Sequence, residues 1–124
     1  MNKKNAASIS KKIRDISRYI RFVGVIDKKG KLIAYSRRPS LKPLLNTENT
    51  QHQFSHIAIK TGMESQFDKQ LGIVQFTWEE REKAQTISFG IDKNRVWLSI
   101  DKNVVRSEVL RIIDFCLPIV KRFS

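Results

Sequence analysis

Apolar residues at Ile9, Ile13, Ile16 and Ile20 step by four, three and four, the period of an amphipathic helix. Ser8 stands where its N-cap would be, and Lys11, Lys12, Arg14 and Arg18 fall on the opposite face. The pattern then changes. Residues 21–27 and 31–36 are rich in β-branched and aromatic side chains and are joined by Lys28-Lys29-Gly30, which predicts a hairpin with Gly30 free to take a positive φ. Phe22, Val23, Val25 and Ile26 make the first run apolar on both sides of the pleat, as suits a strand inside a sheet covered on both faces.

Residues 37–50 hold Pro39, Ser40, Pro43, Asn46, Thr47 and Asn49 and read as a connecting loop, with Leu41, Leu44 and Leu45 as its anchors. Residues 51–69 predict a second helix on Phe54, Ile57, Ala58 and Phe67. Gly62 in its middle costs about 1 kcal/mol relative to Ala, and close backbone packing would account for it. Three strands follow at 73–78, 84–91 and 96–100, separated by the charged turns 79–83 and 92–95. Ile87, Phe89 and Ile91 alternate toward one face, with Val96, Leu98 and Ile100 matching them on the next strand and Phe76 also inward. Trp97 points the other way, toward the second helix, as the anchor of a second core or as part of a protein interface. The last helix, residues 104–123, carries Val105, Val109, Ile112, Cys116, Ile119 and Phe123 as a stripe, with Asp101 or Asn103 as cap. Pro118 is expected to kink or break it.

The order α-β-β-α-β-β-β-α predicts an α+β domain: a five-stranded antiparallel sheet with the terminal helices on one face and the middle helix on the other. A length of 124 residues suits one domain, 1–124, with residues 1–7 as a flexible lead and 37–50 as the connecting loop. No apolar run approaches the roughly 20 residues that span a bilayer, and no apolar stretch follows the basic first ten residues as a secretory signal would require. The single cysteine, Cys116, sits in an apolar stripe and suits a reducing cytoplasm.

Charge changes the picture. The net charge is +12, and residues 1–45 carry 13 Lys and Arg against Asp15 and Asp27, so that almost all of the excess lies there. Such one-sidedness points to an anionic partner. The candidate surface is Lys11, Lys12, Arg14 and Arg18 on the first helix, Lys28, Lys29 and Lys31 at the hairpin, and Arg37 and Arg38 at the start of the loop. It would serve an acidic protein or, in a second reading, nucleic acid held through its phosphates, with Phe22, Tyr35, Phe76, Trp78, Phe89 and Trp97 as conceivable stacking platforms. Candidate dimer or partner contacts are Phe54, Ile57, Ala58, Trp78 and Trp97.

Catalytic chemistry finds no foothold in the pattern. His52 and His56 are spaced i, i+4, but no third or fourth ligand accompanies them. Cys116 reads as core rather than nucleophile. The five glycines are scattered singly, without a phosphate-binding fingerprint. Glu79, Glu80 and Glu82 crowd a turn. The expectation is a non-enzyme with no cofactor and no metal.

The segment Val23-Gly-Val-Ile-Asp-Lys-Lys-Gly-Lys-Leu-Ile-Ala resembles the hairpin signature V-x-G-x-x-V-x-D-x-x-G-x-x-I-A of the roadblock/dynein light chain superfamily, whose relatives include the longin and profilin-like folds. The element order resembles that superfamily over nearly the whole chain. The Lys-rich composition is similar to that of small proteins from ammonia-oxidising archaea. The resemblance implies a non-enzymatic, cytoplasmic interaction or regulatory module that forms a homodimer or heterodimer, with a small GTPase, a motor or a membrane-associated complex as client. An apolar-Asp-x-x-Gly-apolar hairpin also occurs in sensory domains of the PAS type. That gives a third reading, a small-molecule sensor, which requires a cavity between the sheet and the second helix.

Overall fold

The computed structural model describes residues 1–39, 42–43 and 45–123. In chain order it forms α1 (Lys3–Arg14), β1 (Ile20–Ile26), β2 (Leu32–Arg37), α2 (Thr47–Glu64), a 3-10 turn (Ser65–Phe67), α3 (Asp68–Leu71), β3 (Phe76–Glu80), β4 (Ala84–Ile91), β5 (Asn94–Asp101) and α4 (Arg106–Arg122). The five strands make one antiparallel sheet in the order β2-β1-β5-β4-β3. The expected α+β architecture is therefore present, and the short α3 is an addition to it.

The first hairpin closes as the Asp-Lys-Lys-Gly sequence suggests. The Asp27 carboxylate accepts the backbone N–H of Lys29 at 2.8 Å and of Lys31 at 2.9 Å, while Gly30 takes φ 87°. The register then decides which side chains share a face. Val23 lies opposite Leu98 and Val25 opposite Val96, and Ile87 and Phe89 are opposite the same two β5 residues on the far side. These residues form the main core with Ala6, Ile9 and Ile13 of α1 and Val109, Ile112, Ile113, Cys116 and Val120 of α4. Both terminal helices thus lie on one face and touch each other.

On the other face, Phe22 and Ile26 meet Phe54 of α2, flanked by Leu32, Ile57 and Trp97. Trp97 is accordingly an anchor of this second core, packing its indole edge-on to the Phe54 ring at 5.6 Å. The rest of that face is polar. Thr86, Ser88, Arg95 and Ser99 are all buried there or nearly so. α2 is therefore held by a small aromatic cluster and a polar layer rather than by a continuous apolar stripe.

Local boundaries move for identifiable reasons. α1 starts at Lys3 because the Asn2 side chain caps it, accepting the Asn5 N–H at 2.7 Å, so Ser8 lies inside the helix and not at its cap. α2 begins four residues earlier than expected because Asn46 accepts the Asn49 N–H at 2.8 Å. Gly62 is not a site of close packing: a Cβ built there meets nothing within 4 Å. The cap of α4 is Val105, without a side-chain hydrogen bond, and Asp101 is instead engaged by two arginines. Pro118 does not break α4, which continues to Arg122. Pro118 is exposed, as is Asp114 one turn earlier, so the carbonyl left without a donor faces water. Phe76 is more than a third exposed, because β3 is an edge strand and covers one side only. Leu45, one expected loop anchor, is exposed, and the other two, Leu41 and Leu44, lie outside the described residues.

Candidate functional site

The basic residues divide between the two ends of the first hairpin. At one end, Arg14 of α1 donates to the Arg37 carbonyl at 3.5 Å, and the Arg37 guanidinium lies 5.1 Å from the centre of the Phe22 ring. Arg38 and Arg21 grip opposite oxygens of Asp101 at 3.3 and 2.9 Å. Lys11 and Lys12 are exposed in the last turns of α1, and the Lys12 ammonium sits 5.1 Å from the Phe123 ring. Arg18 lies beyond α1, which ends at Arg14 rather than running on through Ile16 to Ile20, and it is exposed next to its hydrogen-bond partner, the Tyr19 hydroxyl, at 3.1 Å. Lys28, Lys29 and Lys31 stand at the other end of β1, about 20 Å away at the ordinary rise of a seven-residue strand. Arg14, Arg37 and Arg38 are thus brought together, whereas the hairpin lysines are separate from them.

The apolar candidates are dispersed over both faces. Phe54 is only 1% exposed and is core. Ile57, Ala58 and Trp97 are half-buried along the α2 side of the sheet. Trp78 is on the opposite face, against the main core, and donates its indole N–H to the Gln85 side chain at 3.0 Å. Phe22, Trp78 and Phe89 pack in or against the cores, whereas Tyr35 is 58% exposed and stacks on Phe22 at 5.7 Å, with the Arg37 guanidinium over that same Phe22 ring.

A different apolar surface was concealed in the sequence. Ile59, Met63, Phe67 and Leu71 recur every fourth residue and are all exposed, Leu71 at 83%. Ile59 and Met63 lie on the side of α2 away from Phe54, and Phe67 and Leu71 follow in the 3-10 turn and α3. Ile73 and Val74 are exposed in the segment before β3, whereas Phe76 turns to the other face of the sheet against Phe89. The spacing of four was the available signal. It was obscured because Phe54, Ile57 and Ala58 form a competing stripe on the same helix. β3 itself offers an open edge of backbone donors and acceptors. The Lys60 ammonium, 3.5 Å from the Glu79 carboxylate, ties α2 to this strand.

Two further features lie under α2. Arg95 is 8% exposed. One of its terminal nitrogens donates to the Ser88 hydroxyl at 3.0 Å, its Nε has no partner, and burial pushes its pKa down against the field of Glu64. Beside the first half of the helix opens a groove of about 560 Å³, floored by Phe22, Phe54 and Trp97. This is the location where the sensor reading requires a cavity. His52 and His56 are exposed on α2, and no three His, Cys, Asp or Glu side chains converge as a metal site among the described residues. No helix among those residues is long and apolar enough to cross a membrane.

No protein-family model matches the chain, and no curated protein matches it in sequence. The fold, however, has clear counterparts. The gliding protein MglB from Thermus thermophilus superposes with a TM-score of 0.73 at 14% identity, covering 98% of this chain and 89% of that one. A Roadblock/LC7 domain from Streptomyces avermitilis gives 0.66 at 6% identity, over 94% and 95% of the two chains. Profilin II of Acanthamoeba castellanii gives 0.61 at 7% identity, over 94% and 98%. The chain therefore has the roadblock/profilin-like fold that its first hairpin resembles.

Proposed function

We propose that this chain is a non-catalytic regulatory module that works through protein–protein contacts, and that it self-associates through the outer stripe of α2 and the free edge of β3. One observation carries the reading: Ile59, Met63, Phe67, Leu71 and Ile73 are large, apolar and exposed along the segment that leads into β3, whose outer edge has no partner strand among the described residues. Exposed apolar surface of this kind is characteristic of interaction sites. A second copy supplies both things the surface lacks, since β3 can pair with its own counterpart while the apolar stripes cover each other. The likeness to MglB and Roadblock/LC7 domains supports a regulatory role of this type. Arg37, at the end of β2, and the exposed Lys11 and Lys12 of α1 would then remain available to an acidic protein partner, with a small GTPase as the client class that the resemblance implies.

Sedimentation velocity at tens of micromolar tests the reading. The expected result is a dimer that Met63→Asp and Ile59→Asp convert to monomer without loss of helix content. A strict monomer for the unaltered chain overturns it.

A further inference from the structure

The groove beside the first half of α2 carries an inference independent of self-association, because it occupies the opposite half of that helix from the exposed stripe. It is built between α2 and the α2-facing side of the sheet. Thr50, Gln53 and Phe54 form one wall, with Phe22, Trp97, Thr86 and Ser99 beneath. Its volume of about 560 Å³ falls in the range of small-molecule sites, roughly 300–1,000 Å³.

Its charge is lopsided. Arg21, Arg37, Lys42, Arg81 and Lys83 line it, and Glu82 is the acid among the described lining residues. Two of these cations are already engaged: Arg21 shares Asp101 with Arg38, and Arg81 shares Glu79 with Lys60. Arg37 and Lys83 have no carboxylate within 4 Å among the described residues. The Arg37 guanidinium lies over the buried Phe22 ring at 5.1 Å, which holds the cation at the groove beside the half-buried Trp97. Trp97 is half-buried and packed at fixed angles against Phe22 and Phe54, so its exposed part is a rigid platform.

We propose that this groove binds a small aromatic anion, its flat body lying against the exposed part of Trp97 and its carboxylate or phosphate met by the Arg37 guanidinium. Arg21 and Lys83 add to the field that attracts it, and the hydroxyls of Thr86 and Ser99 supply polar contacts on the floor. An aliphatic chain would use the apolar floor but would gain nothing from its aromatic geometry. A neutral aromatic would leave the excess cations unmatched.

Proton–nitrogen correlation spectra of the intact chain test this, with 1-naphthaleneacetate and adenosine 5′-monophosphate as the two anionic probes and 1-naphthaleneethanol as the neutral control. The expected result is saturable shifts of the Trp97 indole and of the Phe22, Thr86 and Ser99 amides with at least one anion. Binding of the naphthalene anion alone assigns a carboxylate ligand, and binding of the nucleotide assigns a phosphate ligand. The neutral alcohol should bind about tenfold more weakly than the anion that binds. Arg37→Gln should weaken that anion about tenfold while leaving the alcohol and the melting temperature unchanged. Absence of saturable shifts at these residues with either anion overturns the proposal. So does equal binding of the alcohol, or shifts confined to the Ile59–Leu71 stripe. The same titration on Met63→Asp, which leaves the groove intact, separates this result from that of the dimer test.

Discussion

Gly30 lies directly beneath Phe54. A Cβ at Gly30 would stand 2.8 Å from the Phe54 carbonyl oxygen and 2.9 Å from the Ser55 Cα, and the residue has φ 87°. The first hairpin and α2 are therefore in backbone contact, reinforced by the Gln51 amide donating to the Gly30 carbonyl at 3.3 Å. Gly30→Ala meets two penalties, a left-handed backbone and a clash with an unyielding neighbour. It should cost about 2–3 kcal/mol. Urea denaturation measures it, and a loss below about 1 kcal/mol would mean that α2 shifts easily off the hairpin.

Gly62, also on the α2 side of the molecule, predicts the opposite sign. It lies within a helix, has an ordinary helical backbone, and has open space where a Cβ would go. Gly62→Ala should stabilise the fold by about 0.5–1 kcal/mol, chiefly by restricting the unfolded chain. The same denaturation experiment reads it, and destabilisation would show that residue 62 is covered in solution.

Gly30 shows where the sequence was readable, and Gly62, expected at a close packing contact and found beside open space, shows where it was not. The hairpin with Gly30, the alternation in β4 and β5 and the middle of the α4 stripe at Val109, Ile112 and Cys116 were legible from short-range spacing. Val105, however, is 66% exposed at the helix cap, and Ile113 and Val120 are buried outside the expected stripe. What α2 does was harder to read. Phe54 and Ile57 mark one face of it and Ile59, Met63 and Phe67 another, so neither stripe dominates, and only the position of the sheet says which is inside. The division of the basic residues into two groups was likewise hidden. It depends on which strand ends adjoin, and Arg14 and Arg37 meet only once α1 has folded back along the hairpin. The groove was invisible for a further reason: its lining comes from α2, strands of the sheet and the loops on either side, residues far apart in sequence that no local spacing brings together.

Asp101 joins three segments that are distant in sequence. Arg21 on β1 and Arg38 just beyond β2 bind its two oxygens at 2.9 and 3.3 Å, and all three side chains are about two-thirds or more buried. Asp101→Asn keeps the shape but leaves two neighbouring guanidiniums without their counter-charge. It should destabilise the fold by about 1–2 kcal/mol. Added Arg38→Gln should recover part of that loss by removing one of the repelling cations, and strict additivity in this double-mutant cycle would show that the two arginines act separately.

Cys116 lies at the centre of the α4 stripe, fully buried among main-core side chains, and burial pushes its thiol up to about 12 from an ordinary 9.0. Because the raised value belongs to the folded state, the folded chain keeps its proton while the unfolded chain loses it once the pH passes 9. The unfolded state then binds fewer protons, so stability falls as pH rises between about 9 and 12 and is unaffected by this group below that window. The slope due to Cys116 approaches about 1.4 kcal/mol per pH unit. Stability of the unaltered chain and of Cys116→Ala, compared from about pH 8 to 11, isolates it, since every other titrating group is common to both. The expected curves converge as pH rises, because the variant's packing loss is constant while the thiol's penalty grows. Iodoacetamide at about pH 8 should correspondingly label the folded chain only at the rate at which it opens. Fast labelling together with parallel stability curves would place the thiol in contact with solvent.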